Sequence, residues 1–272
     1  QETSDRSTGS GLSPNAMQLS ALESLKKLHE QGAPRALLIS ATGTGKTYLS
    51  AFDVEQANPE RVLFVAHSTR ILAASEKSYR AVLGPRYTYG GYDGQRKQAD
   101  RTCLFAMVIT LANNLDEFSR KEFDYIVIDE AHRSGADSYR RVIDYFQPRF
   151  LLGMTATPQR TDGYDLYELY NHTIAYRITL YDALKNDMLA PFHYFGIAYL
   201  SIDGEEANDL KVFARLASEE RVSHIIDKIE SYSVSRRNRR GLVFCSRNEE
   251  AEALSTAFNK RGYRSMALSG MN

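Results

Sequence analysis

Short apolar runs alternate with longer amphipathic segments along most of the chain. The apolar runs are continuous, as expected for strands that helices cover on both faces of a sheet. This alternation is typical of βα units around a parallel sheet, so the pattern predicts an α/β fold. The predicted strands are Ala36–Ser40, Val62–Ala66, Leu104–Ile109, Tyr125–Ile128 and Phe150–Met154, and the predicted helices include Tyr48–Gln56, Ile71–Leu83 and Tyr139–Tyr145.

A second, shorter series of elements follows. A short helix, an aromatic-rich strand and an acidic loop are predicted to lead into it, at Tyr181–Leu189, Phe192–Leu200 and Ser201–Leu210. The series itself has predicted helices at Glu219–Tyr232 and Glu249–Arg261 and predicted strands at Leu242–Cys245 and Ser265–Leu268. We therefore expect a flexible lead-in (residues 1–13), one complete α/β domain (14–175), and a linker with the truncated start of a second one (176–272).

Composition narrows the class of protein only slightly. Hydrophobic residues make up 43% of the chain and charged residues 25%, which is ordinary for a globular protein with a core. No apolar run approaches the roughly 18 residues of a membrane span. Cys103 and Cys245 show neither metal-ligand spacing nor a disulfide framework, which favours the cytoplasm. The formal net charge is zero, so any grip on nucleic acid has to come from local groups.

The first candidate site follows the strand Ala36–Ser40. The segment reads Ala41-Thr42-Gly43-Thr44-Gly45-Lys46-Thr47 and leads directly into a predicted helix. Small residues at a helix N-terminus let backbone N–H groups face phosphates, and we expect Lys46 to reach the β and γ phosphates of ATP and Thr47 to bind Mg²⁺. Ser40 stands where the usual pattern has its first glycine. Kinases and small GTPases share such a loop, so it indicates a nucleotide and not a reaction.

The second candidate site is a pair of carboxylates at the end of the strand Tyr125–Ile128. The strand runs into Asp129-Glu130-Ala131-His132. An acidic residue at a strand tip beside a phosphate loop can anchor Mg²⁺, the role expected of Asp129, and a carboxylate in a dry cleft can polarise water, the role expected of Glu130. The alternative is that these acidic residues merely open a helix. His132 completes the four-residue pattern and is interpreted as a coupling residue.

With these motifs the chain resembles the superfamily-two helicases of the DEAH type. A third motif, Leu152-Gly153-Met154-Thr155-Ala156-Thr157-Pro158, is similar to the family's Thr-Ala-Thr element and ends the next apolar strand. The resemblance is particularly to bacterial motor subunits of restriction enzymes, which often carry a phospholipase-D-type nuclease module and a C-terminal domain of unknown function. It implies a RecA-like P-loop NTPase sheet flanked by helices, followed by an incomplete second RecA-like domain.

The same resemblance implies further site residues. Gln18, before an amphipathic helix, matches the adenine-recognising glutamine, and Thr155 and Thr157 join His132 in coupling the nucleotide site to nucleic acid. His67, Thr110, Ser246 and Arg247 occupy positions that contact the phosphodiester backbone in the family. The implied function is an ATP-dependent helicase or translocase motor with ATP and Mg²⁺, acting on nucleic acid, with DNA favoured over RNA and no membrane partner. The arginine that stabilises the transferring phosphoryl group is expected beyond Asn272.

Four alternatives remain open from the sequence. The chain could be a nucleotide-binding module with negligible turnover, acting as a switch or scaffold, or a P-loop kinase, although the second and third motifs argue against a kinase. The basic run Arg236–Arg240 could touch a phosphate backbone, but a solvated loop is favoured. Tyr87, Tyr89 and Tyr92 could stack on bases, but packing around a hairpin or turn at Gly90-Gly91 is favoured.

Overall fold

A computed structural model of the chain describes residues 12–158, 165–196, 219–233 and 239–269. Inter-residue contacts divide the chain into two compact units, Gln1–Pro191 and Phe192–Asn272. The lead-in expected over residues 1–13 lies outside the described residues except for Leu12 and Ser13. No helix in the described ranges is both long and apolar enough to cross a membrane.

The first unit is a seven-stranded sheet with helices on both faces, which confirms the predicted fold class. Every strand pairing in it is parallel, in the order β3-β4-β2-β5-β6-β1-β7. The strands are β1 (Arg35–Ser40), β2 (Val62–Ala66), β3 (Tyr89–Tyr92), β4 (Cys103–Met107), β5 (Tyr125–Ile128), β6 (Phe150–Thr155) and β7 (Ile174–Ile178). The helices are α1 (Ala16–Glu30), α2 (Lys46–Ala57), α3 (Thr69–Leu83), α4 (Val108–Ala112), α5 (Asp137–Tyr145), α6 (Leu166–Leu169) and α7 (Leu180–Lys185).

Two hydrophobic layers explain the continuous apolar runs of the central strands. Successive side chains of a strand point to opposite faces, so a strand covered on both sides needs apolar residues at every position. Leu38, for example, packs into the layer under α1, α2 and α3, whereas its neighbour Leu37 packs into the layer under α4, α5 and α6. Both side chains are completely buried. Each such burial contributes about 1.5–3 kcal/mol to folding.

The predicted strand Leu104–Ile109 was too long. β4 ends at Met107, and the next five residues form α4 rather than continuing the strand to Ile109. The reason lies in the burial pattern, because Val108, Leu111 and Ala112 are buried at helical spacing while Ile109 is 59% exposed. Thr110 therefore lies on a helix rather than directly after a strand.

Two strands were missed at the ends of the sheet. β3 contains Gly90 and Gly91 and pairs in parallel with β4, so these two glycines lie in a strand. The predicted turn follows directly after them, because Tyr92 pairs antiparallel with Lys97 and the Asp93 N–H donates to the Arg96 carbonyl at 2.9 Å. The expectation that the tyrosines pack was confirmed for Tyr87 and Tyr92, which are buried. β7 pairs with β1, so the first unit extends to Pro191, past the boundary expected near residue 175.

The second unit contains two described helices, α8 (Glu219–Tyr232) and α9 (Asn248–Lys260), and both were predicted. They pack through Val222, Leu254 and Phe258. The predicted strands Leu242–Cys245 and Ser265–Leu268 are wrong, and so is the described part, 192–196, of the predicted strand Phe192–Leu200. A strand needs hydrogen-bonding neighbours, and the described part of the second unit supplies none. Residues 201–210 and 236–238 lie outside the described ranges.

We expect Gly153→Ala to destabilise the protein by about 1–3 kcal/mol, the usual range for overpacking a core. A methyl group on Gly153 in β6 would lie 2.3 Å from the ring of Tyr170, which is completely buried and cannot easily move aside. Urea unfolding measures the change. Gly94→Ala is the matched control, because a methyl group there meets no atom within 4 Å. Equal stabilities of the two variants would contradict this account of the packing.

Candidate functional site

The loop Ala41–Thr47 joins β1 to α2 at the carboxyl edge of the sheet. Gly43 and Gly45 have φ angles of +87° and +83°, a backbone region that favours glycine. The second of these glycines caps α2, so the first-turn N–H groups of the helix have no partners within it and carry the positive end of its dipole. The loop is thus shaped to receive an anion such as a phosphate chain.

Ser40 has a structural task in this loop. Its hydroxyl oxygen lies 2.5 Å from the Thr44 hydroxyl oxygen, which itself donates a hydrogen bond to the Ala41 carbonyl at 2.7 Å. Ser40 and Thr44 are both buried. The serine that replaces the usual first glycine therefore braces the loop, and the Thr44 hydroxyl is used within it.

Lys46 supplies the positive charge of the site. Its ammonium group donates a hydrogen bond to the Ser40 carbonyl at 3.0 Å. Burial lowers the pKa of Lys46, whereas the carboxylates of Glu130 and Asp129 act in the opposite direction. Lys46 and the two carboxylates are therefore electrostatic neighbours, although Asp129, the nearer of the carboxylates in sequence, follows Lys46 by 83 residues.

Asp129 extends β5 at the same edge, where its N–H donates to the Val65 carbonyl. Its side chain is buried, and this burial raises the pKa of Asp129 to about 6, with the neighbouring Glu130 carboxylate adding to the rise. The Glu130 N–H and Lys46 oppose the shift. A buried carboxylate of this kind gains stability from an arriving cation.

Glu130 has an unusual backbone conformation, with φ +51° and ψ +50°. For a residue other than glycine, this left-handed region costs about 1–3 kcal/mol and is typical of functional sites. The turn places the Glu130 carboxylate 3.2 Å from Nδ1 of His132. The same nitrogen lies 3.2 Å from the Thr155 hydroxyl, at the end of β6.

The three predicted coupling residues form one hydrogen-bonded cluster. The Thr155 hydroxyl accepts a hydrogen bond from the Thr157 N–H at 3.1 Å and lies 3.2 Å from the Thr157 carbonyl, to which it donates. Through His132, this cluster reaches Glu130. Thr157 also lines a cleft of about 510 Å³ together with Ala41 and Thr42, so the end of β6 and the phosphate loop border the same space.

Gln18 also lies at the loop. The residue is buried, and its side-chain amide donates to the Gly45 carbonyl at 3.3 Å. Its oxygen accepts from the Asn15 N–H at 3.0 Å, within the capping box that begins α1. The predicted adenine reader thus contacts the phosphate loop directly.

The predicted nucleic-acid residues of the first unit lie at the ends of neighbouring strands. His67 directly follows β2, and Thr110 lies on α4 after β4, the strand that pairs with β2. The pKa of His67 is lowered, first by burial and then by Arg133. The Glu130 carboxylate partly offsets this shift, so His67 is close enough to interact electrostatically with Glu130.

Ser246 and Arg247 belong to the second unit, where they precede α9. The N–H and hydroxyl of Ser246 both donate to the Glu250 carboxylate, at 3.0 and 3.2 Å. This interaction fixes the start of the helix. The nucleic-acid role of the two residues stays a prediction.

Two residues at the site were not foreseen. Arg133 is an electrostatic neighbour of His67, and its position directly after the Asp-Glu-Ala-His motif was a usable signal. Leu189 lies against Gly43 of the phosphate loop, where a methyl group on the glycine would be 3.0 Å from Leu189 Cδ2. An apolar residue after a short helix carries no sequence signal of such a contact.

Comparisons with known proteins agree with this geometry. The family model described as "Type III restriction enzyme, res subunit" matches residues 11–160. The type I restriction enzyme EcoAI endonuclease subunit of Escherichia coli is 31% identical over 204 residues, covering 68% of this chain and 24% of the relative. The DNA 3′-5′ translocase XPB2 of Sulfurisphaera tokodaii is 25% identical over 174 residues, covering 63% of this chain and 38% of the relative.

The fold has a counterpart among solved structures. The ATP-dependent type ISP restriction-modification enzyme LlaBIII bound to DNA superposes with a TM-score of 0.63 at 16% identity, covering 92% of this chain and 21% of that one. At this identity the likeness shows the fold alone. The chain spans less than half the length of each curated relative named above.

We expect Asp129→Asn to stabilise the metal-free protein at pH 7.5 by about 2 kcal/mol. Because the folded-state pKa of about 6 lies above the ordinary value of 3.8, ionising this carboxyl penalises the folded state. The penalty grows as the pH rises from about 4 to 6 and is complete above that range. Urea unfolding in EDTA at pH 7.5 and 4.5 measures it.

The gain from Asp129→Asn should therefore shrink at pH 4.5. Asp100→Asn is the control, because the Asp100 side chain is 73% exposed and its neutralisation should change stability by no more than about 0.5 kcal/mol. A destabilised Asp129→Asn protein at pH 7.5 would show that the carboxylate is held by the fold rather than penalised by it.

Proposed function

This chain belongs to the family of the type III restriction enzyme res subunit, and we propose from that premise that it is an ATP-hydrolysing motor element of a superfamily-two helicase or translocase acting on DNA. One observation carries the proposal. An anion-receiving loop with a partly buried ammonium group, Lys46, lies in electrostatic range of two carboxylates at the end of a neighbouring strand, Asp129, which is buried, and Glu130, whose backbone is strained. This combination is what phosphoryl transfer to water requires.

The residues divide the chemistry among them. The Gly43–Thr47 amides and the Lys46 ammonium would hold the β and γ phosphates and neutralise their charge. Gln18, whose side chain contacts the loop, would recognise the adenine base. The Thr47 hydroxyl and the Asp129 carboxylate suit Mg²⁺, which prefers few protein ligands besides phosphate and water oxygens and would supply further charge neutralisation.

Glu130 would act as the general base. Its carboxylate would orient a water molecule and accept a proton as the water oxygen attacks the γ phosphorus, while the bond between that phosphorus and the β–γ bridging oxygen breaks and ADP leaves. His132 would keep this carboxylate in place and connect it to Thr155 and Thr157. A change at the phosphate end would then alter the hydrogen bonds at the end of β6, which is how hydrolysis would be coupled to grip on nucleic acid.

His67 and Thr110 would contact the nucleic-acid backbone, joined by Ser246 and Arg247 from the second unit. Backbone contacts are independent of base sequence and weaken as salt rises. DNA is favoured because one sequence relative is named a DNA 3′-5′ translocase and one protein of similar fold was solved bound to DNA. A nuclease module and a C-terminal domain in the whole protein would add to this motor, and none of the steps above requires them.

Lys46→Ala and Glu130→Gln should separate binding from turnover. We expect Lys46→Ala to abolish the rise in Tm that MgADP produces, because the loop loses its counter-charge for phosphate. Glu130→Gln should retain that rise and lower ATP turnover by about 10²–10⁴-fold, the usual contribution of a general base. Thermal unfolding and phosphate release measure the two effects.

The matched controls for these variants are Lys27→Ala and Glu23→Gln on α1, whose side chains are 64% and 69% exposed and should matter little. If both site variants bind and turn over nucleotide like the unaltered protein, the proposed mechanism is wrong. Binding without any turnover by the whole protein, with or without nucleic acid, would instead support a nucleotide-binding module that acts as a switch or scaffold.

Nucleic acid should stimulate the ATPase in a salt-dependent manner. Single-stranded DNA, duplex DNA and RNA are compared at 50 and 200 mM salt, and we expect DNA to stimulate more strongly than RNA, with less stimulation at the higher salt. His67→Ala should weaken the stimulation while leaving the basal rate within about twofold. A rate that no nucleic acid changes would contradict the motor function.

A further inference from the structure

The chain leaves the first unit along the phosphate loop. β7 pairs with β1, and the carbonyl of Ile178, its last residue, accepts a hydrogen bond from the Ala41 N–H at 3.0 Å. The first residue of the loop is thus tied to the last strand of the sheet. α7 follows β7 at once, and the exit segment (residues 186–191) connects α7 to the end of the unit at Pro191.

The end of α7 turns the exit segment back toward the loop. Asp187 has a φ of +53°, the Met188 N–H donates to the Ala183 carbonyl at 2.9 Å, and the Asp187 N–H donates to the Leu184 carbonyl at 3.3 Å. These are the bonds of a Schellman motif, which reverses the chain direction after a helix. The Leu189 N–H also reaches the Ala183 carbonyl, at 3.3 Å. This turn explains why α7 ends at Lys185 rather than at the predicted Leu189.

The reversal brings the Leu189 side chain onto Gly43. A methyl group built on Gly43 would lie 3.0 Å from Leu189 Cδ2, and no other atom of the described residues, apart from those adjacent to Gly43 in the chain, comes within 4 Å of it. Gly43 has a φ of +87° and is one of the residues whose amides would hold phosphate. The exit segment therefore covers one side of a glycine of the loop that has a left-handed backbone, and Ile178 anchors the start of the same loop.

We propose that Leu189 is a positioning residue that couples nucleotide occupancy of the phosphate loop to the order of the exit segment. The proposal rests on the proposed function, because it requires nucleotide at this loop. Leu189 holds Gly43 in its left-handed conformation, so the loop is preformed for phosphate. By thermodynamic reciprocity, a nucleotide that stabilises this loop geometry also stabilises the exit segment on it.

Hydrogen exchange of the whole chain tests the coupling directly. Amide exchange of peptides covering residues 180–191 is measured with and without MgADP, alongside the Kd for MgADP. We expect MgADP to slow exchange in the exit segment of the unaltered protein. Leu189→Ala should remove this protection and weaken MgADP binding about 3- to 10-fold, the range of typical coupling effects. Leu189→Met, of similar volume, should restore both.

Ile174→Ala is the matched control. It removes an aliphatic side chain of the same size from the first residue of β7, at the end of the strand away from the phosphate loop. Ile174 is 40% exposed, and its partner in the sheet is Leu37. It should leave both the protection and the Kd unchanged. Tm values without nucleotide identify any variant that is merely unstable.

The outcomes separate the two proposals. If MgADP binds but exchange in the exit segment does not change, or if Leu189→Ala behaves like Ile174→Ala, the coupling role of Leu189 is wrong and the nucleotide site stands. If MgADP does not bind to the unaltered chain at all, the proposed function itself fails.

Discussion

The site depends on bringing opposite charges near one another where the fold limits the access of water. Lys46 is partly buried, and the carboxylates of Asp129 and Glu130 offset part of the cost of desolvating its charge, while Asp129 tolerates burial only with a raised pKa. Each of these charged groups would destabilise the folded state if it were buried there without the others. The arrangement is held in a state that bound phosphate and a metal ion would relieve, and the strained backbone of Glu130 is part of the same cost.

The parallel sheet makes this arrangement possible. All its strands end at one edge, so the loop after β1, the carboxylates after β5 and the threonines after β6 meet although they are far apart in sequence. The two hydrophobic layers keep these strand ends fixed relative to one another. The chemistry can therefore be carried by a few short segments, while the central strands are almost wholly apolar.

Sequence reasoning predicted the parts of this molecule that repeat a strong local pattern. The continuously apolar strands and the motifs at their ends follow from burial on both faces and from the needs of phosphate binding. It missed β3 and β7 because these sheet-edge strands are not continuously apolar, as Gly90 and Arg177 illustrate. It overextended β4 because the run Val108–Ala112 reads equally well as strand or helix until its buried face is known.

In the second unit, runs of apolar residues led to strand predictions that were wrong. Phe244 and Met266 lie in strand-like runs, yet both are more than three-quarters exposed, because a strand exists only with neighbours to pair with. Contacts such as Leu189 on Gly43 were out of reach for a different reason. They depend on a chain reversal at Asp187, and an aspartate, although enriched in the left-handed region, does not by itself predict such a reversal.

The central claim is that the phosphates of ATP bind between the phosphate loop and the carboxylates of Asp129 and Glu130. A crystal structure with Mg²⁺ and a non-hydrolysable ATP analogue tests it most directly. The account predicts a triphosphate on the Gly43–Thr47 amides, with the metal about 2.1 Å from the Thr47 hydroxyl and linked to Asp129 directly or through one water. An analogue bound elsewhere with the loop vacant, or a metal beyond the reach of Asp129, would contradict it.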